Sequence, residues 1–87
     1  RNIHGGPVDF VLVELKKGAR RNKMVTTDAF EYKYLIKGKI EYLIEDKNYI
    51  LEEGDSIFFD GRLGHNLSNI GDSDVLMLVV YYFITNL

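Results

Sequence analysis

Apolar and polar positions alternate with a period of two along much of this chain. The first such segment, Val8 to Leu15, is rich in β-branched residues and has the pattern of a strand. Similar stretches recur about every eight to twelve residues and are separated by turns that contain Gly, Asp or Asn. The further predicted strands are Phe30–Ile36, Lys39–Asp46, Tyr49–Leu51, Ser56–Phe59, His65–Ile70 and Val75–Ile84. No window keeps a helical apolar stripe over three turns, so the pattern predicts an antiparallel all-β sandwich or small barrel.

Two segments set the expected connections and contacts. The dipeptide Lys37-Gly38 is expected to join the second and third strands as a hairpin, because glycine reaches the positive φ that a tight turn needs. The last run, Val75–Ile84, is apolar at both parities, so both of its faces should be covered. The core would cover one face and a second subunit the other, which predicts a homodimer.

Length and composition predict one domain, over residues 1–87, since 87 residues leave no room for a second core. Eleven basic and thirteen acidic residues give a net charge of −2, which argues against direct DNA binding. The absence of cysteine excludes disulfides and thiol nucleophiles. The apolar runs are shorter than the roughly 20 residues of a membrane helix, and we expect a cytoplasmic protein with no membrane partner. The chain starts at Arg1 without a Met or a signal peptide, so we expect a fragment of a longer protein.

Two spaced motifs resemble those of the cupin superfamily. The first cupin motif is a glycine, five residues, His-x-His, three or four residues, Glu, six residues and Gly; this chain has Gly18, Met24-x-Thr26, Glu31 and Gly38 in that register. The second is a glycine, five residues, Pro-x-Gly, two residues, His, three residues and Asn; this chain has Gly54, Asp60-Gly61-Arg62, His65 and Asn69. The resemblance implies a cupin-like double-stranded β-helix, which is a small antiparallel jelly-roll barrel.

The resemblance also implies a place for a metal, and the residues there have changed. In metal-dependent cupins both histidines and the glutamate of the first motif bind one divalent ion together with the histidine of the second. Glu31 and His65 are kept, whereas Met24 and Thr26 replace the paired histidines. A thioether and a neutral hydroxyl are poor ligands for such ions. His4 or Asp28 could in principle supply a ligand, but we expect no metal and no other cofactor.

The same resemblance places Glu31 in the barrel interior, and strand alternation sends Lys33 the same way. The two could form a structural ion pair that replaces the lost metal charge, or they could hold a polar or anionic ligand together with His65. His65 could equally be a hydrogen-bonded core residue, a ligand contact or a catalytic group. Tyr42 is the tyrosine most suited to line such a site. The predicted ligand pocket comprises Met24, Thr26, Glu31, Lys33, Tyr42 and His65, with no catalytic residue assigned.

The densest charge feature is the segment 16–23, with five cations in eight residues. It could be a solvated loop, it could attract an anionic effector to the pocket, or it could support phosphate contacts made by a partner domain. Nothing in the sequence selects between these three.

Small cupins with a Glu-Gly-Asp-Ser segment before a short strand, here residues 53–56, resemble the C-terminal sensor domains of helix-turn-helix (XRE-type) transcriptional regulators. That resemblance implies a domain that binds a small-molecule effector without metal, and DNA binding only through a separate N-terminal helix-turn-helix domain. The alternatives are a stand-alone cupin enzyme (isomerase, dioxygenase or decarboxylase) and a structural dimerisation module. The loss of two metal ligands weighs against metal-dependent oxygen chemistry.

Overall fold

Seven β-strands and no helix make up the part of the chain that the computed structural model describes, residues 7–84. The strands are β1 (Val8–Leu15), β2 (Ala29–Lys37), β3 (Ile40–Ile44), β4 (Lys47–Leu51), β5 (Ser56–Asp60), β6 (His65–Asn69) and β7 (Val75–Phe83). Each predicted strand is present, and its observed ends lie close to the predicted ones. The all-β prediction is therefore confirmed.

The strands form two antiparallel sheets that pack face to face. The four-stranded sheet has the order β1-β7-β2-β5 and the three-stranded sheet has the order β4-β3-β6. After β1, the chain runs alongside β6 and adds two isolated bridges, Arg20 to Ser68 and Val25 to His65. The core between the sheets is built from alternate residues of each strand, among them Leu35, Tyr42, Leu67, Met77 and Val79. This is the predicted jelly-roll arrangement, formed by two separate sheets within the described range.

The connection at Gly38 is not the hairpin that the sequence predicted. Strand β2 pairs with β5 and β7, whereas β3 pairs with β4 and β6, so the chain crosses here from one sheet to the other. Gly38 has a φ of 100° and lies against the start of β7, where an added Cβ would come within 3.1 Å of the Val75 Cα atom. The glycine therefore serves a tight crossing between sheets. The hairpin forms one connection later, between β3 and β4, where Glu45 has a φ of 53°.

The two faces of β7 differ in burial. Val75, Met77 and Val79 lie in the core, whereas Leu76 and Leu78 are half-buried on the outer face of the four-stranded sheet. Neighbouring side chains of the sheet thus cover the outer face only in part. The homodimer that this apolar run suggested stays a prediction.

Asn69 fixes the end of β6 to two neighbouring segments. Its side-chain amide donates to the carbonyl oxygens of Leu15, Lys16 and Ser73, at 2.9 to 3.2 Å, and its oxygen accepts from the Gly71 N–H. Buried backbone carbonyls need such partners. Asn69 therefore braces the ends of β1 and β6, at the opposite end of β6 from His65.

Candidate functional site

A buried polar network lies between the two sheets. It comprises Glu31 and Lys33 on β2, Tyr42 on β3 and His65 on β6, with relative exposures of 1%, 5%, 0% and 3%. Each residue shares the inward parity of its strand with core residues, so strand alternation turns all four side chains into the same space. Charged groups are rarely buried this deeply unless they are paired.

The Glu31 carboxylate is the centre of this network. The Lys33 Nζ atom lies 2.8 Å from its Oε1 atom, and the hydroxyl of Thr27 donates to its Oε2 atom at 2.6 Å. The His65 Nε2 atom is 3.3 Å from the same Oε2 atom. Lys33 also donates to the Tyr42 hydroxyl. Both carboxylate oxygens are therefore engaged, which is the arrangement that makes a buried charge tolerable.

Hydrogen bonding fixes the orientation of His65. Its Nδ1 atom is 2.8 Å from the Leu63 carbonyl oxygen, and a carbonyl only accepts, so Nδ1 carries a proton. The Nε2 atom then faces Glu31 with a lone pair when the ring is neutral and with an N–H when it is protonated. The ring of Phe59 packs edge-on against the imidazole, at 4.9 Å between centroids. His65 is thus held from two sides, and only its Nε2 atom changes with protonation.

Aromatic rings surround the Lys33 ammonium. Its Nζ atom lies 4.6 Å from the ring centroid of Tyr42 and 5.5 Å from that of Phe59. Such cation–π contacts are strongest where water is excluded. The interior of this domain therefore contains a cation supplied by the chain itself, held by one carboxylate, one hydroxyl and two rings.

Burial and pairing act in opposite directions on these groups. Burial by itself would raise the pKa of Glu31, but the ammonium of Lys33, the hydroxyl of Thr27 and the charge of His65 hold that pKa below its ordinary value. Burial lowers the pKa of Lys33, against the effect of its pairing with Glu31. Burial, together with the negative charge of Glu31, raises the pKa of Tyr42, so its hydroxyl stays protonated. The network therefore contains an ionised Glu31 carboxylate and a neutral Tyr42 phenol.

The structure brings together four of the six residues predicted for the pocket, Glu31, Lys33, Tyr42 and His65. Met24 and Thr26 are exposed. The Met24 Cε atom lies 3.7 Å from the position that a Cβ atom added to Gly64 would take. The threonine bonded to Glu31 is Thr27. Thr27 lies two residues before the buried Ala29, so the alternation of β2 continued backwards leads to it, although Thr27 itself precedes the strand. The ligand role of the six residues stays a prediction.

Gly61 is a second residue that the sequence did not single out. An added Cβ here would clash with the Thr27 hydroxyl and would lie 2.6 Å from the Ala29 carbonyl oxygen and 2.7 Å from the Glu31 Oε2 atom. Only glycine lets this turn pass so close to the carboxylate. The neighbouring Arg62 forms an exposed ion pair with Asp60, at 2.7 Å, on the outside of the same turn.

The donor set does not fit the divalent ion that the family motifs imply. Glu31 and His65 are the only family ligands kept, and the Lys33 ammonium already lies against the carboxylate. Within residues 7–84 no three His, Asp or Glu side chains group closely enough to hold a metal ion. Asp28 is exposed, and His4 lies outside the described residues. The absence of metal remains a prediction, and we derive no step that uses one.

An open groove of about 600 Å³ lies away from the network, at the other end of β2 and β6. It is lined by Gly38, Lys39, Glu52, Glu53, Gly71, Asp72 and Ser73. None of the six predicted pocket residues lines this groove.

Comparison with known proteins identifies the fold. The cupin domain family matches residues 11–81. A cupin domain of an XRE family transcriptional regulator from Enterobacter cloacae is 19% identical, with a TM-score of 0.79, over 91% of this chain and 84% of that chain. An HTH_3 family transcriptional regulator from Vibrio cholerae is 12% identical, with a TM-score of 0.78, over 91% of this chain and 44% of that one. A predicted oxalate decarboxylase from Thermotoga maritima is 24% identical, with a TM-score of 0.76, over 86% and 65%.

At these identities the likeness establishes the fold alone. This chain spans less than two thirds of the Vibrio and Thermotoga proteins. No curated protein matches the sequence. Within the described residues there is no helix of the length and apolarity needed to cross a membrane.

Proposed function

We propose that this domain, which belongs to the cupin domain family, binds a small polar or anionic effector between its sheets without metal. In this proposal it is the sensor domain of a transcriptional regulator. The observation that carries the proposal is the buried network of Glu31, Lys33, Tyr42 and His65. It lies where other cupins bind a metal, and it offers hydrogen-bond donors and acceptors instead. The regulatory role is supported by the XRE and HTH_3 regulators among the similar structures.

The network suits recognition by hydrogen bonding. Lys33 and Tyr42 provide donors, Glu31 provides acceptor oxygens, and the Nε2 atom of His65 serves as either. Aromatic rings of Tyr42 and Phe59 exclude water around these groups, and hydrogen bonds and charges act more strongly where water is excluded. We propose no enzymatic reaction, because the donor set does not fit the catalytic metal of metal-dependent cupins.

A thermal-shift screen of the domain against acidic metabolites, sugars and amino-acid derivatives tests the effector proposal. A ligand at 100 times its dissociation constant stabilises the domain by about 2.7 kcal/mol. Replacing Lys33→Met together with Glu31→Gln, a double variant that is expected to stay folded, should abolish the shift produced by any effector that contacts the network. The matched control is Lys37→Met, at the exposed end of the same strand, which should leave the shift unchanged. An equal loss in both variants, or no stabilising compound in the screen, would contradict effector binding at this network.

We also propose that DNA is bound by a helix-turn-helix domain encoded upstream of this chain, in a cytoplasmic regulator. The net charge of −2 supports a division of labour in which this domain does not contact DNA itself. The coding sequence before Arg1 is the direct test. A helix-turn-helix segment of about 60 residues would support the proposal, and a start codon immediately before Arg1 would refute it.

The partner we propose is a second copy, bound through the outer face of the four-stranded sheet. Six large apolar side chains of this face are exposed, namely Phe10, Leu12, Phe30, Tyr34, Phe58 and Tyr82. Leu12 and Phe58 are 63% and 61% exposed, and the Phe30 and Phe58 rings stack at 5.9 Å. The acidic residues at the corners of the face, Glu14 and Asp60, are already paired with Lys16 and Arg62. A neutral apolar face fits an identical face better than a charged partner.

Light scattering coupled to size-exclusion chromatography tests the homodimer. The wild type should elute as a dimer, and Phe58→Glu should make it a monomer, because two carboxylates would be buried in the interface. Ile50→Glu, which places a charge on an exposed position of the other sheet, should stay dimeric. A monomeric wild type, or dissociation of both variants, would rule out this interface.

A further inference from the structure

Arg21 is placed at the edge of the space between the sheets by the way the chain leaves β1. The segment 19–25 runs antiparallel beside β6: Asn69 N–H donates to the Ala19 carbonyl, and Arg21 N–H donates to the Leu67 carbonyl. Arg20 is the bridge partner of Ser68, so these two share the outward side. Arg21 therefore lies opposite Leu67, whose side chain is buried in the core. The two arginines of this segment face opposite sides.

The charge of Arg21 reaches the buried network. It opposes the burial-driven rise in the pKa of Tyr42 and of Tyr81, and it adds to the burial-driven fall in that of Lys33. These groups lie on three strands of both sheets, and the backbone register beside β6 places Arg21 on the inward side, towards them. Arg21 is exposed and forms no ion pair with any residue between 7 and 84. Within that range Arg21 is therefore an unpaired cation on the exposed rim of the two sheets, which we call the entrance.

The charged groups of the network behind Arg21 are already paired with one another. No fully buried side-chain nitrogen or oxygen atom in the described residues lacks a hydrogen-bond partner. The charges of Glu31 and Lys33 also cancel each other. An arriving ligand therefore meets Arg21 as the first group that needs an opposite charge. Tyr81, beside Glu31 in the sheet, is half-buried and carries its hydroxyl on the same inward side.

The rest of this entrance is mostly apolar. Val11 has the inward parity of β1, opposite Val79, and is 38% exposed. Asp9 is the register partner of Tyr81 and is the acidic residue on this side of β1. A ligand with one anionic group near Arg21 and an apolar body against Val11 and the Tyr81 ring matches these surroundings.

We propose that Arg21 and Tyr81 form an anion subsite at the entrance between the sheets, and that the effector is a small organic acid bound through its carboxylate. The planar guanidinium donates two parallel N–H groups to a carboxylate, and the Tyr81 hydroxyl adds a third donor. This inference rests on the proposed function, because it names the class of effector that the domain binds. It also assigns a role to the basic segment 16–23: one of its cations faces the ligand and the others face solvent.

NMR titration of the domain with benzoate, and with its neutral counterpart benzamide, tests the subsite. The test applies whether the domain is a monomer or a dimer. Benzoate should bind at least about tenfold more tightly than benzamide, because only the acid pairs with Arg21. Arg21→Gln should reduce benzoate affinity to that of benzamide. Arg20→Gln, which removes the same charge from the outward side, should keep benzoate affinity within about twofold of wild type.

The outcomes separate the subsite from the pocket. If acid and amide perturb the ring resonances of His65 with equal affinity, or if both arginine variants lose the same affinity, the subsite is refuted and binding between the sheets stands. If inorganic phosphate binds more tightly than benzoate, the carboxylate assignment is wrong. If neither organic probe perturbs His65 or Tyr81, the subsite and the proposed pocket both fail.

Discussion

Replacing Lys33→Met removes the ammonium from the buried network and keeps an unbranched side chain of similar length. In the wild type this ammonium lies 2.8 Å from the Glu31 carboxylate, and both side chains are almost fully buried. The substitution leaves Glu31 with only the Thr27 hydroxyl and His65 as partners. A carboxylate that stays buried without its cation is strongly destabilising.

The expected loss is about 3 to 5 kcal/mol at pH 8, the range found when one partner of a buried ion pair is removed. A domain of 87 residues has a total free energy of unfolding of about 4 to 13 kcal/mol. The loss is therefore a large fraction of the whole, and the single variant is expected to be marginally folded at neutral pH. Adding Glu31→Gln should recover most of it, because the double variant no longer buries an unpaired charge.

The loss should depend on pH, with a sign that follows from the pKa of Glu31. In the wild type that pKa lies below its ordinary value of 4.5, so the ionised carboxylate stabilises the fold above pH 4.5 and this contribution is lost as pH falls through the folded pKa. Without Lys33, burial dominates and raises the pKa of Glu31. The folded variant then holds its proton more tightly than the unfolded chain, so its stability falls as pH rises from 4.5. The difference from wild type should be smallest at acid pH and fully present at pH 8.

Urea unfolding at pH 5 and pH 8, followed by circular dichroism, measures both quantities. Lys37→Met, on the same strand but exposed, is the matched control and should change stability by less than about 0.5 kcal/mol. A loss of under about 1 kcal/mol for Lys33→Met, or a loss that is equal at the two pH values, would refute the view that Lys33 neutralises a buried carboxylate.

Three further predictions concern the surroundings of the network. Gly61→Ala should destabilise the domain by about 2 to 3 kcal/mol in urea unfolding, because the added Cβ would press on Glu31. Gly64→Ala, where the nearest atom is 3.7 Å from the added Cβ, should cost under about 1 kcal/mol. Equal losses in the two variants would contradict this prediction. Asn69→Ala should cost about 2 kcal/mol or more by the same assay, because three carbonyls lose a donor, and Asn66→Ala on the outward side of the same strand should cost less. Elemental analysis of protein purified without chelator should find no stoichiometric metal, and about one ion per chain would overturn the account of the donor set.

The strands were predicted from local alternation, whereas the inward direction of Glu31 came from the resemblance to cupins, and alternation then placed Lys33 on the same face. Glu31 and Lys33 lie two residues apart on one strand, and a period of two places them on one face whatever the strand pairs with. The hairpin at Gly38 was wrong because strand pairing is not local: β5 and β7 occupy both edges of β2.

The segment between β1 and β2 was the least predictable part of the site. Motif spacing pointed to Thr26, but the chain between Val25 and Ala29 is not a strand, and the residue bonded to Glu31 is Thr27. The direction of Arg21 is likewise set by hydrogen bonds to β6, a strand more than 40 residues away along the chain. No local pattern within residues 16–23 distinguishes Arg21 from the other cations.

The Lys33 ammonium is part of the polypeptide, so every copy of the domain contains it. No chelator can remove it, and no other ion can replace it. The charge that Lys33 places beside Glu31 is therefore independent of how much iron, manganese or zinc a cell contains. If the domain is metal-free, as we propose, starvation for metal would leave this interior as it is. In the proposed function, effector binding would then follow the supply of the organic effector alone.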